Sequence, residues 1–230
     1  MALRKEGISQ ETLKVIACLS MLIDHIGAAL LPWNWLRLVG RISFPIYCFL
    51  LVEGFHYSKS PSRYMLRLLL AAFLSEIPFD YALFGGPNWH YQSVMLTLLL
   101  GLLVLEIKEH IENPFCKLLV AAPIMLAAEW VFRSDYGGWG VLLIVLLGIV
   151  RDLPRGKQIQ CFIILLICSA MPCRKVSILG NELPMELFGA FSIFPIALYK
   201  GRKASYSRTL QWGFYLFYPV HLAIIRLLSV

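Results

Sequence analysis

The sequence predicts an all-α fold, a polytopic transmembrane bundle of about nine helices with its N-terminus in the cytoplasm. Of the 230 residues, 59% are hydrophobic and only 15% are charged, and the mean hydropathy is +0.70. Soluble domains carry about 25% charged residues, so a soluble globular domain is excluded. The apolar runs are mostly long enough for membrane helices of about 20 residues, and they lack the alternation of a membrane barrel. We therefore expect one integral membrane domain over residues 1–230.

Nine apolar segments are predicted to span the membrane when hydropathy is averaged over about 19 residues. The sixth and seventh are short, so we expect them to be tilted or shielded by protein. The first segment is too long for the apolar part of a signal peptide and is expected to remain on the mature protein. The spans are 12–31, 38–56, 63–84, 92–107, 115–132, 138–150, 158–172, 183–199 and 210–229.

The lysines and arginines of the loops alternate in density, which gives the orientation. Fifteen lie on the side of the N-terminus and four on the other side, so the positive-inside rule places the N-terminus in the cytoplasm. We attribute the net charge of +7 to this signal and to attraction for anionic lipid, and expect no nucleic-acid partner. The fifteen are Arg4, Lys5, Lys14, Lys59, Arg63, Arg67, Lys108, Lys117, Arg151, Arg155, Lys157, Lys200, Arg202, Lys203 and Arg208, and the four are Arg37, Arg133, Arg174 and Lys175.

Asp24 and His25 are two ionisable neighbours inside the first apolar segment. A charge near the centre of a bilayer costs about 2.5 to 3.5 kcal/mol on insertion scales, so such a pair is a functional-site hypothesis. On a helix, neighbouring side chains point about 100° apart. Each residue must therefore find its partner on a different helix.

Further polar residues fall inside the other apolar segments, mostly in the outer half of the membrane. Because depth follows from the rise along each helix, we expect one set to face a shared outer cavity, and we assign Glu53 and His56 to the inner half. A structural alternative stays open, namely a buried network that only fixes helix packing, with Glu76 and Asp80 bonding the backbone around Pro78. The expected set is Asp24, His25, Arg41, Glu76, Asp80, Glu129, Asp135 and His221.

Three local patterns occur in order along the chain and place polar residues inside apolar segments. The patterns are 13–17 with 21–28, then 40–46 with 52–55 and 75–80, and finally 135–144 with 217–222. They resemble the TraX family, membrane proteins associated with N-terminal acetylation of pilin. The chain departs from the family pattern at Gln92, where we expect an asparagine.

The resemblance implies acyl transfer across a membrane, with acetyl-CoA as the cytoplasmic donor and a peptide or pilin-like N-terminal amine as the acceptor. It also implies kinship with other multi-span acyltransferases that use an intramembrane histidine. His25 would act as a base toward the amine or carry the acetyl group as a nucleophile. Arg41 would stabilise an oxyanion or hold an acceptor carboxylate, and Asp24 or Glu76 would orient an imidazole or pair with the arginine. No metal is expected, since the six cysteines form no metal-binding motif.

The remaining candidate residues are assigned to the two substrates. We expect the acceptor to meet Glu76, Asp80, Asp135 and His221, and the donor to thread toward His25 past Glu53 and His56. The donor's phosphates would lie among basic residues of the inner loops, although each of these could simply serve the topology. These residues are Lys59, Arg63, Arg67 and Arg151.

Two other functions remain open from the sequence. A proton-coupled transporter or lipid-handling protein would use the same polar residues as a relay, and an inverted repeat with paired broken helices would indicate it. The halves of this sequence show no convincing correspondence. A non-catalytic assembly partner would tolerate conservative replacement of His25.

Overall fold

The computed structural model describes residues 7–31, 33–109, 111–178, 180–201 and 208–229, which are predominantly helical. The all-α prediction is confirmed, apart from one short antiparallel hairpin of β1 and β2. Four of the fifteen basic residues assigned to the side of the N-terminus lie outside the described residues, namely Arg4, Lys5, Arg202 and Lys203. The helices are α1 Gln10–Ala29, α2 Asn34–Gly40, α3 Ser43–His56, α4 Pro61–Leu83, α5 Val94–Lys108, α6 Pro114–Leu126, α7 Gly137–Val150, α8 Gly156–Ala170, α9 Ile193–Leu198 and α10 Arg208–Leu228, and the strands are β1 Lys175–Ile178 and β2 Asn181–Pro184.

Each of the nine apolar segments coincides with a helix or with two helices that abut. The fifth ends in a π-helical stretch, Ala127–Val131, that continues α6, and the eighth begins as a 3-10 helix, Met185–Ser192, that leads into α9. The second is divided into α2 and α3. The positions of the helices thus follow the hydropathy, whereas the breaks within them do not.

The break between α2 and α3 has a local cause in Pro45. Its ring nitrogen has no proton to donate to the carbonyl of Arg41, so one bond of the helical ladder is missing where the two helices meet. The hydroxyl of Ser43 donates instead to the carbonyl of Gly40 at 2.8 Å. Arg41 therefore lies at a corner between two helices.

Within the part of the chain that the structure describes, two helical segments are long and apolar enough to cross a membrane by length and composition, namely Gln10–Ala29 and Asn34–His56. Four shorter apolar helical segments, Val94–Ile107, Gly137–Val150, Gly156–Ala170 and Met185–Leu198, fall below the required length. The structure thus supports the positions of the nine predicted helical segments. That all nine cross a membrane stays a prediction.

The core of the bundle lies around α7, which packs against α3, α5, α6 and α8. Leu143, Ile144 and Leu147 of α7 are fully buried. On the other side, α10 packs against α4 and α1, and α1 packs against α2 and α3. This arrangement brings α1, α2 and α10 together around the polar residues of the first segment.

Candidate functional site

Arg41 binds two carboxylates at the corner between α2 and α3. Its Nη2 lies 2.6 Å from Oδ1 of Asp24 on α1, and its Nη1 lies 2.8 Å from Oε1 of Glu186 in the 3-10 helix. Arg37 adds a longer contact to Asp24, with Nε 3.5 Å from Oδ1. The side chains of Arg41, Asp24 and Glu186 are nearly inaccessible to solvent, so they form a buried ion-pair network that joins three helical segments.

Small residues allow α2 to lie directly on α1. A Cβ atom on Gly40 would overlap the side chain of Asp24, and one on Gly27 would come within 2.6 Å of Cβ of Leu36. The two glycines therefore set the helix spacing at which Asp24 reaches Arg41, just after α2.

His25 meets His221 of α10 in the interior. Nδ1 of His25 lies 2.7 Å from Nε2 of His221, and Nδ1 of His221 lies 2.6 Å from the carbonyl oxygen of Phe217. The two ring planes are only 18° apart, with centroids 5.0 Å apart, and both residues are buried. Asp24 and His25 thus bind partners on different helices, as their helical positions predict.

Tyr218 lies edge-on to both histidines, with ring centroids 5.8 Å from His25 and 5.6 Å from His221. Its side chain is 3% exposed, and its hydroxyl has no hydrogen-bond partner among the described residues. A buried hydroxyl without a partner is costly, and such a group in a cavity is a candidate ligand contact.

Asp135 lies in the connection before α7 and belongs to the same charged region. Its Oδ1 accepts a hydrogen bond from the hydroxyl of Tyr91 at 2.9 Å. Burial raises the pKa of Asp135, while the charge of Arg41 and the bond from Tyr91 act in the opposite direction. Asp135 thus lies close enough to Arg41 and Asp24 for their charges to act on its carboxyl group, but it forms no ion pair with Arg41 in the described structure.

Glu76 and Asp80 hold the connection between α4 and α5. The carboxylate of Glu76 accepts from the backbone N–H and the hydroxyl of Ser93, at the N-terminus of α5. Oδ2 of Asp80 accepts from the backbone N–H of Asn88 at 2.8 Å. Both carboxylates therefore bind the connection between α4 and α5. This resembles the structural alternative given above, in which they bond backbone groups, but the groups they bind lie in that connection and not around Pro78.

A cavity of about 330 Å³ leads from the ends of several helices toward the histidines. Its mouth is lined by Gln10, Lys14 and Arg67, and its deep end is lined by Met21 and Tyr218. Between Gln10 and Met21 the helix rises about 16 Å, which is about half of a hydrocarbon core. The cavity therefore connects the end of the bundle predicted to face the cytoplasm with the tyrosine that touches both histidines.

The route expected past Glu53 and His56 needs correction. On α3 the cavity is lined by other faces of the helix, at Leu50, Leu51, Gly54 and Tyr57. Glu53 instead lines a second cavity of about 360 Å³, where its Oε1 lies 2.6 Å from Nε of Arg151. Glu53 lies about 100° from Gly54 around the helix, and its carboxylate turns to Arg151 rather than to the first cavity.

The four basic residues expected to bind the donor do not form one cluster. Arg67 lines the first cavity and Arg151 the second, whereas Lys59 and Arg63 are exposed and line neither. Arg151 is bound to Glu53 and Asp152, and these interactions raise its pKa against the opposing effect of burial. Only Arg67 of the four is positioned beside the route to the histidines.

The expected single outer cavity is likewise not lined by the predicted residues as a set. None of the eight lines either of the two cavities described above. The structure divides them into the Asp24–Arg41 network with Asp135 nearby, the pair His25–His221, and the carboxylates that hold backbone N–H groups, which include Glu129 at Gly138. The prediction of one shared cavity used only the depth of each residue in the membrane. The way the helices pack against one another, which depth does not determine, separates the residues into these groups.

Sequence reasoning missed Glu186 and Tyr218. Glu186 is an ionisable residue inside an apolar segment, so the rule that selected Asp24 would also have selected it. Tyr218 carries no such signal, because a tyrosine in a membrane helix is ordinary.

Comparison with known proteins places the chain in one family. Residues 9–229 match the family described as TraX protein. A curated relative, the probable fimbrial assembly protein FimC of serogroup H1 from Dichelobacter nodosus, is 29% identical, and the alignment covers 96% of each chain. The uncharacterized protein RP591 of Rickettsia prowazekii (strain Madrid E) is 26% identical over 67% of this chain and 60% of its own. No solved structure shows significant similarity.

Proposed function

We propose, from the premise that this chain belongs to the TraX family, that it is a membrane-embedded acyltransferase. It would move an acetyl group from cytoplasmic acetyl-CoA to an acceptor amine at or near the outer face of the bacterial cytoplasmic membrane. The observation that carries the proposal is the cavity that ends at Tyr218, beside the buried pair His25–His221.

Embedding in a membrane is supported by the apolar side chains that the bundle leaves exposed. Phe73 is 72% exposed, Ile77 69%, Val131 74% and Leu227 79%. Exposed apolar surface of this extent is rare in soluble monomers but is what a lipid-facing surface requires. We therefore propose a multi-pass protein with spans at the nine helical segments.

Tryptophans support the placement of helix ends at the membrane surface, while the orientation rests on the loop charges. Trp33, Trp35, Trp89 and Trp130 are exposed and lie near connections that the loop charges assign to the outside. Tryptophan is enriched at membrane–water interfaces. The end of the bundle that carries Gln10, Lys14 and Arg67 would then face the cytoplasm, which is where the donor is available.

The donor would enter through this end of the first cavity. Arg67 would interact with the donor's phosphates, and Lys14, whose Nζ lies 5.1 Å from the ring centroid of Phe214, contributes a second positive charge at the mouth. The deeper lining of Leu50, Met95 and Leu98 is apolar and would surround the arm that bears the thioester.

The chemistry requires one base and a donor for the oxyanion. An α-amino group has a pKa of about 7.7 to 8.0, which a histidine near about 6.5 can deprotonate as the amine attacks. The amine nitrogen forms a bond to the acyl carbon, the carbon–sulfur bond breaks, and His25 passes the proton to the departing thiolate. The hydroxyl of Tyr218, which has no hydrogen-bond partner among the described residues, would donate to the carbonyl oxygen as negative charge develops there.

Arg41 is assigned a positioning role in this proposal. Both of its Nη atoms are bound, by Asp24 and by Glu186, so it holds the turn of α1 that carries His25 against α2. The oxyanion function expected for Arg41 passes to Tyr218, which lines the cavity.

The acceptor is proposed to be a peptide N-terminus of the pilin type. The support is the relative named as a probable fimbrial assembly protein, which aligns over 96% of both chains. Acceptor access would be from the outer side, where Tyr91 and Asp135 lie in connections between helices.

A sealed proteoliposome with the purified protein in one orientation tests this function. Labelled acetyl-CoA is supplied on the cytoplasmic side only or on the outer side only, and a synthetic pilin-like peptide is supplied on the outer side. We expect acetyl-peptide only when the donor is on the cytoplasmic side. Equal product from donor on the outer side would contradict the route, and absence of product in both arrangements with a panel of peptides and amines would contradict the activity.

A further inference from the structure

A chain of two hydrogen bonds joins His25 to the backbone of α10. It runs from the carbonyl of Phe217 to Nδ1 of His221 at 2.6 Å, and from Nε2 of His221 to Nδ1 of His25 at 2.7 Å. Both distances are short enough that each contact must contain one proton between a donor and an acceptor. The chemistry of the carbonyl therefore decides where the protons lie.

A carbonyl oxygen can only accept, so Nδ1 of His221 must carry the proton of the first bond. A neutral imidazole holds one ring proton, which leaves Nε2 of His221 with a lone pair. Nδ1 of His25 must then donate the second proton. Nε2 of His25 is left with the lone pair that a base requires.

The neutral form of both rings follows from their surroundings. Among the described residues, no carboxylate forms an ion pair with either ring. A charged imidazolium in such a buried position would be unpaired and costly. The ring of Phe217 stacks on the ring of His221, with centroids 4.8 Å apart and an interplanar angle of 21°. This contact fixes the plane of the His221 imidazole, whose hydrogen bonds determine where the protons lie.

We propose that His221 is a positioning residue that holds His25 in its Nδ1–H tautomer and so makes Nε2 of His25 the basic nitrogen. The tautomer follows from the hydrogen bonds and from the neutrality of both rings, and its use as a base rests on the proposed function. During transfer, Nε2 takes the proton of the acceptor amine and returns it to the thiolate of the donor, while both Nδ1 protons stay in place. This role replaces the acceptor binding expected for His221 from the sequence.

The tautomer is tested by ¹⁵N NMR of protein labelled at its five histidines, in nanodiscs near neutral pH. Spectra of His25→Gln and His221→Gln assign the two buried rings by loss of their signals. We expect both rings to be neutral and protonated at Nδ1. A proton on Nε2 of His25, or a charged ring in the pair, would overturn the proposal, and this result does not depend on any transfer activity.

The positioning role is tested by two variants of His221 in single-turnover transfer. Gln keeps an acceptor near the place of Nε2, whereas Phe keeps the ring shape and has no acceptor. We expect His221→Gln to retain most of the rate and His221→Phe to lose about 10²-fold or more, at an unchanged KM for the acceptor. If both variants keep the rate and only raise the acceptor KM, His221 binds the acceptor and the proposal fails. If His221→Phe does not fold, the tautomer found by NMR in the unmodified protein decides.

Discussion

Gly40 and Asp24 lie in direct contact, so that a methyl group on the glycine would overlap the aspartate side chain. This close approach of α2 to α1 is what allows Asp24 to reach Arg41 at 2.6 Å. The carboxylate is adjacent in sequence to His25, so the helix spacing that Gly40 helps to set controls the position of the candidate base.

Gly40→Ala is expected to destabilise the protein by about 1 to 3 kcal/mol, the range for overpacking in a close-packed interior. Gly213→Ala on α10 is the matched control, because no neighbouring group among the described residues lies within 4 Å of the point where its methyl group would lie. That control should be neutral or stabilising by up to about 1 kcal/mol. Thermal unfolding in detergent measures both, and equal stability of the two variants would show that the close approach has no energetic weight.

Glu186→Gln removes one of the two carboxylates that bind Arg41. Breaking a buried ion pair by removing one partner costs about 3 to 5 kcal/mol, and we expect a loss near the lower end because Asp24 remains. Glu182→Gln is the control, because its side chain is 73% exposed and lies 3.9 Å from Lys175. Exposed pairs contribute about 0 to 1 kcal/mol. Denaturant titrations that give the same loss for both variants would argue against a buried network at Arg41.

The polar residues show how far the sequence alone could lead. The angle between neighbours on a helix was sufficient to predict that Asp24 and His25 bind partners on different helices, and the structure has those partners at the corner between α2 and α3 and on α10. Hydropathy located the helices because burial in lipid or protein requires long apolar runs. The pairing of Arg41 with Asp24 was among the expectations, but the pairing with Glu186 was not predictable, since packing between segments distant in sequence brings Glu186 to the arginine.

The cavity could not be predicted for the same reason. Depth along each helix is determined by the rise per residue, but the face that each helix presents depends on its rotation against its neighbours. Glu53 and Gly54 have nearly the same depth, yet one lines the second cavity and the other the first. The break before α3 was available from Pro45, whose missing N–H interrupts the helical ladder.

Arg67→Ala is expected to raise the KM for acetyl-CoA without changing kcat. A lost charge-assisted hydrogen bond of about 1.5 to 3 kcal/mol corresponds to about a tenfold to hundredfold weaker affinity. Arg63→Ala is the matched control, since Arg63 is exposed on the same helix and lines neither cavity described above. Steady-state kinetics over a range of donor concentrations separate the two, and an equal rise in KM for both would place the phosphates elsewhere.

The membrane topology predicts opposite sides for the connections at Ser60 and Asn88. Single cysteines at these positions, in a background in which the six native cysteines are replaced, are tested in whole cells with an impermeant maleimide. The cysteine at 88 should react in intact cells and the one at 60 only after permeabilisation. Reaction of both from the same side would show that α4 does not cross the membrane.

The most direct test of the account is single-turnover acetyl transfer by His25→Ala, with His56→Ala as a control at an exposed histidine of α3. Both variants should remain monodisperse and bind acetyl-CoA as the unmodified protein does. We expect His25→Ala to lose about 10²-fold to 10⁴-fold in rate, the contribution of a general base, and His56→Ala to lose little. Transfer by His25→Ala at the unmodified rate would contradict the assignment of His25 as the base.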